Sequence, residues 1–90
     1  ATLFSHTRMA HAELVRASSE EALLNTGLVP QARQSLESSR SAYKVGRIEF
    51  LSLLDSQVRL LEAELRLVRA RADKRIAFAA LETASGEKLR

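Results

Sequence analysis

The sequence predicts an all-α chain built around one long antiparallel helical hairpin, and three observations predict it. The 90 residues include only three Gly, one Pro, one Tyr, three Phe and no Trp. Ala, Leu, Arg, Glu and Ser dominate, a composition suited to long helices rather than sheets. Apolar residues then recur in steps of three and four through the second half, the spacing of a helix that packs lengthwise on a neighbour. Finally, Gly46 stands alone near the middle, where a left-handed residue can end one helix and reverse the chain. A chain of this length buries a modest core and gains from partner helices.

The elements follow in order. A first helix is expected from Leu3 to Asn25, with Leu3, Ala10, Ala17 and Leu24 recurring every seven residues. The small alanines permit a close helix approach. The run Asn25-Thr26-Gly27-Leu28-Val29-Pro30 predicts a kink or break, because Gly weakens the helix and Pro lacks a backbone donor and crowds the preceding turn. Helix resumes from Pro30 to Lys44, with Ser35, Ser38, Ser39 and Ser41 leaving much of its surface polar, as Ser18 and Ser19 do in the first helix. Val45 to Arg47 form the turn. The second arm runs from Ile48 to Ala84, with Gly86 expected to close it. As a domain, residues 1–90 read as one hairpin: an arm over 1–44 kinked near 27–30, a turn at 45–47 and an arm over 48–85.

The second arm carries the strongest period. Leu51, Leu54, Val58, Leu61, Leu65, Val68 and Ala72 form a heptad seam that implies a partner helix. A thinner stripe, Leu53, Leu60, Leu67 and Leu81, lies on another flank, with Gln57, Glu64 and Arg71 between the two. Two seams imply two neighbours, as in a ring or barrel of helices or in a compact bundle. At about 1.5 Å per residue this arm is nearly 60 Å long, which favours an elongated rod over a globule.

Charge and motif content narrow the function classes. The net charge is +3, from 14 basic and 11 acidic residues. Arg66, Arg69, Arg71, Lys74 and Arg75 make a basic stretch, but Glu62, Glu64, Asp73 and Glu82 are interspersed and no aromatic side chain is placed among them to stack a base. A salt-bridged or solvated face is the reading, and no nucleic-acid partner is expected. A basic helical nucleic-acid binder is the counter-reading, and it would lose affinity steeply with added salt. Cysteine is absent, so there is no disulfide framework or thiolate site. His6 and His11 are five apart, a poor spacing for a helical metal pair. No nucleophilic triad, phosphate-cradling loop or paired carboxylates stand out, so neither catalytic residues nor a cofactor are expected. Apolar runs are broken every few residues, short of the roughly 18 to 20 that span a bilayer. The chain opens at Ala1 in what already reads as helix, without a leader pattern, and so reads as a piece of a longer protein.

The residues about the turn carry a family resemblance. Leu28-Val29-Pro30-Gln31-Ala32 is followed by Tyr43-Lys44-Val45-Gly46-Arg47-Ile48-Glu49-Phe50-Leu51-Ser52-Leu53-Leu54-Asp55-Ser56-Gln57. Leu61-Glu62-Ala63-Glu64-Leu65 and Ala80-Leu81-Glu82-Thr83-Ala84-Ser85-Gly86 come next. In order and spacing these runs resemble the C-terminal periplasmic hairpin of TolC-type outer-membrane efflux proteins. The Leu-x-Pro-x-Ala run of Leu28, Pro30 and Ala32, with Phe50-Leu51, also resembles the branch serving heavy-metal and related resistance-nodulation-division pumps. The likeness covers most of this chain and a small part of a full family member.

The resemblance implies a segment of a periplasmic α-helical barrel in a trimer, a passive exit duct for substrates delivered by an inner-membrane pump. It implies that Val45, Gly46 and Arg47 meet a periplasmic adaptor, the membrane fusion protein, and that Tyr43 and Asp55 are gate candidates. The chain departs from some relatives in having Ile48 after Arg47, where a polar or basic tip residue often stands one position later. Each residue also has a plainer role: Gly46 as a turn residue, Tyr43 as a staple on Ile48 or Phe50, and Asp55 in an interhelical hydrogen bond or salt bridge. The alternative to the duct is a stand-alone coiled-coil interaction module. With its seams exposed, the chain by itself is expected to self-associate as a dimer or bundle.

Overall fold

The described residues fold as helix and turn. The computed structural model describes residues 2–89, with side-chain surroundings for residues 5–84 and 86. Helix α1 spans Thr2–Leu23, a π-helical turn spans Leu24–Leu28, α2 spans Val29–Lys44, and α3 spans Phe50–Leu89. Among the described residues there is no strand, which places the chain in the all-α class.

Asn25 to Pro30 does not break the helix. The backbone N–H of Val29 donates to the Leu24 carbonyl, five residues back, and Pro30 enters at the first turn of α2, where its missing donor is tolerated. A π-turn holds one more residue than an α-turn. Counting on from Leu24 in α-helical steps of four and three would turn Leu28, Gln31, Ser35 and Ser38 inward. With one residue inserted, that set becomes Val29, Ala32, Leu36 and Ser39, all buried or half-buried. The wide turn therefore keeps the apolar side of α2 facing the hairpin interior.

At the other end of α2 the chain reverses through a Schellman arrangement. Arg47 N–H donates to the Ala42 carbonyl at 2.8 Å, and Gly46 N–H to the Tyr43 carbonyl at 3.0 Å. Gly46 takes φ +75°, the left-handed conformation this motif places one residue past the cap. The reversal is longer than the three residues expected. Helix α3 starts at Phe50 rather than Ile48, because Ser52 and Leu53 N–H both bond back to the Glu49 carbonyl, leaving Ile48 and Glu49 in the turn. Nor does Gly86 close α3: the helix runs on through Leu89. Glycine permits a helix end but does not impose one, and its cost inside a helix, about 1 kcal/mol against Ala, is borne here.

The hairpin comprises two compact units. One runs from Leu23 to Leu67 around the turn, and the other joins the stretch up to Ala22 with the stretch from Val68 onward. In the turn unit the core is branched aliphatic: Leu24, Val29 and Leu36 are buried, as are Leu53, Ala63 and Leu67 from α3. Ser39 and Ser56 share a hydroxyl hydrogen bond of 2.7 Å across the two helices. In the other unit the buried side chains among the described residues are alanines: Ala10 and Ala17 from α1, and Ala70, Ala77 and Ala84 from α3. Leu14 and Leu81 are half-buried there, and Lys74 reaches Glu21 at 3.8 Å. A buried Leu contributes about 1.5–3 kcal/mol and one methyl(ene) about 0.8 kcal/mol, so the turn unit holds more tightly per buried position. The side chain of Leu3, expected in the first seam, lies outside the described residues.

Of the two stripes the sequence shows on α3, the structure packs one against the opposite arm and leaves the other uncovered. Along α3 the buried and half-buried positions are Leu53, Ser56, Leu60, Ala63, Leu67, Ala70, Lys74, Ala77, Leu81 and Ala84, an unbroken alternation of three and four. That is the thinner leucine stripe filled in by alanine, serine and one lysine. The bulkier series beginning at Leu51 is the exposed one.

Candidate functional site

Two surfaces stand out: the turn with its flanking aromatic pair, and the uncovered stripe of α3. At the turn, the Schellman bonds hold Val45, Gly46 and Arg47 as a fixed projection in which all three residues are exposed. A Cβ built on Gly46 would meet nothing within 4 Å, so the glycine is needed for its backbone angle and not for a close approach. Tyr43 and Phe50 flank the reversal with ring centroids 5.9 Å apart and planes at 61°, an edge-to-face pair that braces α2 against the start of α3. Both rings keep about half their surface in solvent, so with Val45 and Leu51 they give the turn an apolar collar. Of the two partners considered for Tyr43 in stapling the turn, the structure records the ring contact with Phe50.

Asp55 sits one turn further along α3. Its Oδ2 accepts from Arg59 Nε at 2.9 Å within the same helix, which replaces the expected interhelical bridge. The pair is exposed and separated by four residues, a helix-surface arrangement of small energetic weight. Arg40–Glu37 and Arg16–Glu13 are similar three-residue pairs. The hydrogen bond and charge of Glu13 hold the exposed Arg16 guanidinium above its ordinary pKa. Between α2 and α3 of the turn unit lies an open groove of about 530 Å³, bordered by Leu28, Ala32 and Ser35 on one side and Asp55, Arg59 and Glu62 on the other. Its charges are mixed and exposed, and the groove gathers no set of groups poised for proton transfer or nucleophilic attack.

The second surface is the stripe Leu51, Leu54, Val58, Leu61 and Leu65 on the turn unit. Leu51 is 71% exposed and Leu61 57%, against 8% for Leu53 on the packed side. Val68, next in the series, is exposed as well. Single exposed leucines need no explanation, but a helical row of this length signals a surface that meets another. Periodicity revealed both stripes and could not rank them. The missed signal is the alanine series Ala63, Ala70, Ala77 and Ala84, which completes the thinner stripe and matches Ala10 and Ala17 in size.

Among the described residues, no three His, Cys, Asp or Glu side chains converge to hold a metal ion. No described helix is long and apolar enough to cross a membrane. Comparison with protein-family signatures, characterised proteins and solved structures returns no match to this chain.

Proposed function

We propose that the chain is a hairpin of the periplasmic α-helical barrel of a TolC-type outer-membrane efflux channel, a passive exit duct in a tripartite export pump. The observation that carries this reading is the second seam. A hairpin closed by one stripe of α3 while exposing a second, bulkier leucine stripe needs lateral neighbours, as a stave in a ring of helices does. The ordered runs about Gly46 that resemble the family, Tyr43-Lys44-Val45-Gly46 and Leu53-Leu54-Asp55-Ser56-Gln57, support it.

In this reading three copies of the whole protein form the duct and shelter the stripe. Val45, Gly46 and Arg47 present the rigid turn to a periplasmic adaptor, which connects the duct to an inner-membrane pump. Tyr43 and Asp55 stand beside the tip as gate residues, and the duct moves cargo without cofactor or chemistry. Arg47 is the natural probe, because it is exposed and its side chain has no assigned role in the fold. A photoreactive residue at position 47, activated in cells, should capture a periplasmic adaptor. Capture of cytosolic protein or nucleic acid alone would overturn the proposal.

A further inference from the structure

We propose that Leu51, Leu54, Val58, Leu61 and Leu65 on the turn unit bind the same row of a second copy of this chain, with the two helices parallel and in register about a two-fold axis running between them. Every residue of this contact lies within the turn unit. The pairing does not rest on the duct reading. There the row lies against neighbouring hairpins, so the pair is an alternative use of it by free chains.

The row has the order of a two-stranded seam. Leu51, Val58 and Leu65 take heptad position a, Leu54 and Leu61 take d, and all five are exposed, by 40% to 71%. Leucine at d with a β-branched residue at the central a suits two parallel strands. The flanks fix the direction: Asp55 and Glu62 line one side at e, and Phe50, Gln57 and Glu64 line the other at g. Antiparallel helices set e against e and g against g. Two antiparallel alignments of this row stack four apolar layers. One sets Asp55 against its own copy, and the other sets Asp55 against Glu62 twice, so both bring carboxylates together. Parallel helices instead set g against the e of the next heptad. In register they stack all five layers, and Gln57 of each copy faces Glu62 of the other, its amide donating to the carboxylate. Asp55, already bonded to Arg59 at 2.9 Å in its own helix, faces Phe50. A parallel shift of one heptad keeps only three layers and sets Glu64 against Glu62, so charge selects the in-register pair. Gln57 and Glu62 are exposed, and among the described residues neither side chain has a partner within the chain. A second copy supplies the apolar row and both missing partners at once.

The test is the mass of the full chain by analytical ultracentrifugation across a concentration series. The wild-type chain should dimerise. Gln57→Glu, which sets carboxylates together on both flanks, should weaken the dimer at least about tenfold, and Gln57→Lys, which sets opposite charges together, should tighten it, both with helical circular dichroism unchanged. The chain has no cysteine, so introduced ones report direction and register. Leu51→Cys alone and Leu65→Cys alone should each cross-link to themselves, because parallel in-register helices bring each position against its own copy. A mixture of Leu54→Cys and Leu65→Cys should form no mixed cross-link, whereas the antiparallel alignment brings those two positions together. A wild-type mass other than that of a dimer, a Gln57→Glu dimer of unchanged strength, or mixed cross-linking in place of self cross-linking would each overturn the proposal.

Discussion

Deleting Gly27 and replacing Pro30 with alanine should stabilise the hairpin, although a one-residue deletion within a helix usually scrambles everything beyond it. The π-turn at Leu24–Leu28 holds one residue more than an α-turn, and Val29 N–H bonds five residues back as a result. Without Gly27 the turn closes to α geometry, and Val29, Ala32, Leu36 and Ser39 arrive at the positions they already occupy. No packing is lost, and removing a helical glycine returns about 1 kcal/mol. The deletion alone behaves differently. Pro30 would then lie inside a continuous α-helix, crowding the carbonyl four residues back at a cost of about 3 kcal/mol. The net effect is a loss of about 2 kcal/mol.

Pro30→Ala alone should change little, because Pro30 sits at the first turn of α2 where proline is accepted. The two changes are therefore coupled by about 3 kcal/mol in a double-mutant cycle. Urea unfolding followed by circular dichroism, at matched protein concentration so that association does not bias the comparison, measures all four corners. The extra residue of the π-turn does not set the register of α2 if the deletion combined with Pro30→Ala loses about 2–5 kcal/mol, the cost of withdrawing a buried leucine such as Leu36.

Three further expectations can be checked with the same unfolding assay. Leu36→Ala and Leu67→Ala should each cost about 2–5 kcal/mol, whereas Leu61→Ala should cost well under 1 kcal/mol at concentrations where the chain is monomeric; the reverse ranking would mean the closing seam is misassigned. Gly46→Ala should lose about 1 kcal/mol from the φ of +75° alone, because open space surrounds the new methyl, and Gly46→Asn should lose less. Ser39→Ala should cost about 0.5–1.5 kcal/mol through the lost 2.7 Å hydroxyl pair, and adding Ser56→Ala should cost little more; two full additive losses would show that the hydroxyls act separately.

Much of this molecule is legible in its sequence. Low glycine, proline and aromatic content excludes sheets, heptad spacing marks the long helix, and Gly46 announces the reversal it makes with a left-handed backbone. Each of these depends on local chemistry: propensity, period, and the steric freedom of a residue without Cβ. The turn at Val45 to Arg47 is legible for the same reason, whereas its extension through Ile48 and Glu49 is not. Asp55 was visible as a charged residue on α3, but whether it bridges helices or pairs with Arg59 depends on side-chain geometry that spacing does not contain.

Two matters were decided only by tertiary structure. Period shows which residues share a stripe and is silent on which stripe meets the other arm. The structure chose the stripe completed by alanine, where Ala70, Ala77 and Ala84 join Ala10 and Ala17 in a core of small side chains, and left the bulkier leucines outside. The passage from α1 to α2 was decided in the same way. Gly27 and Pro30 read locally as a kink or break, yet the energy of keeping Val29 and Leu36 buried favours a continuous helix that takes up one extra residue in a wide turn. In both places local propensity left two arrangements close in energy, and burial against the opposite arm separated them.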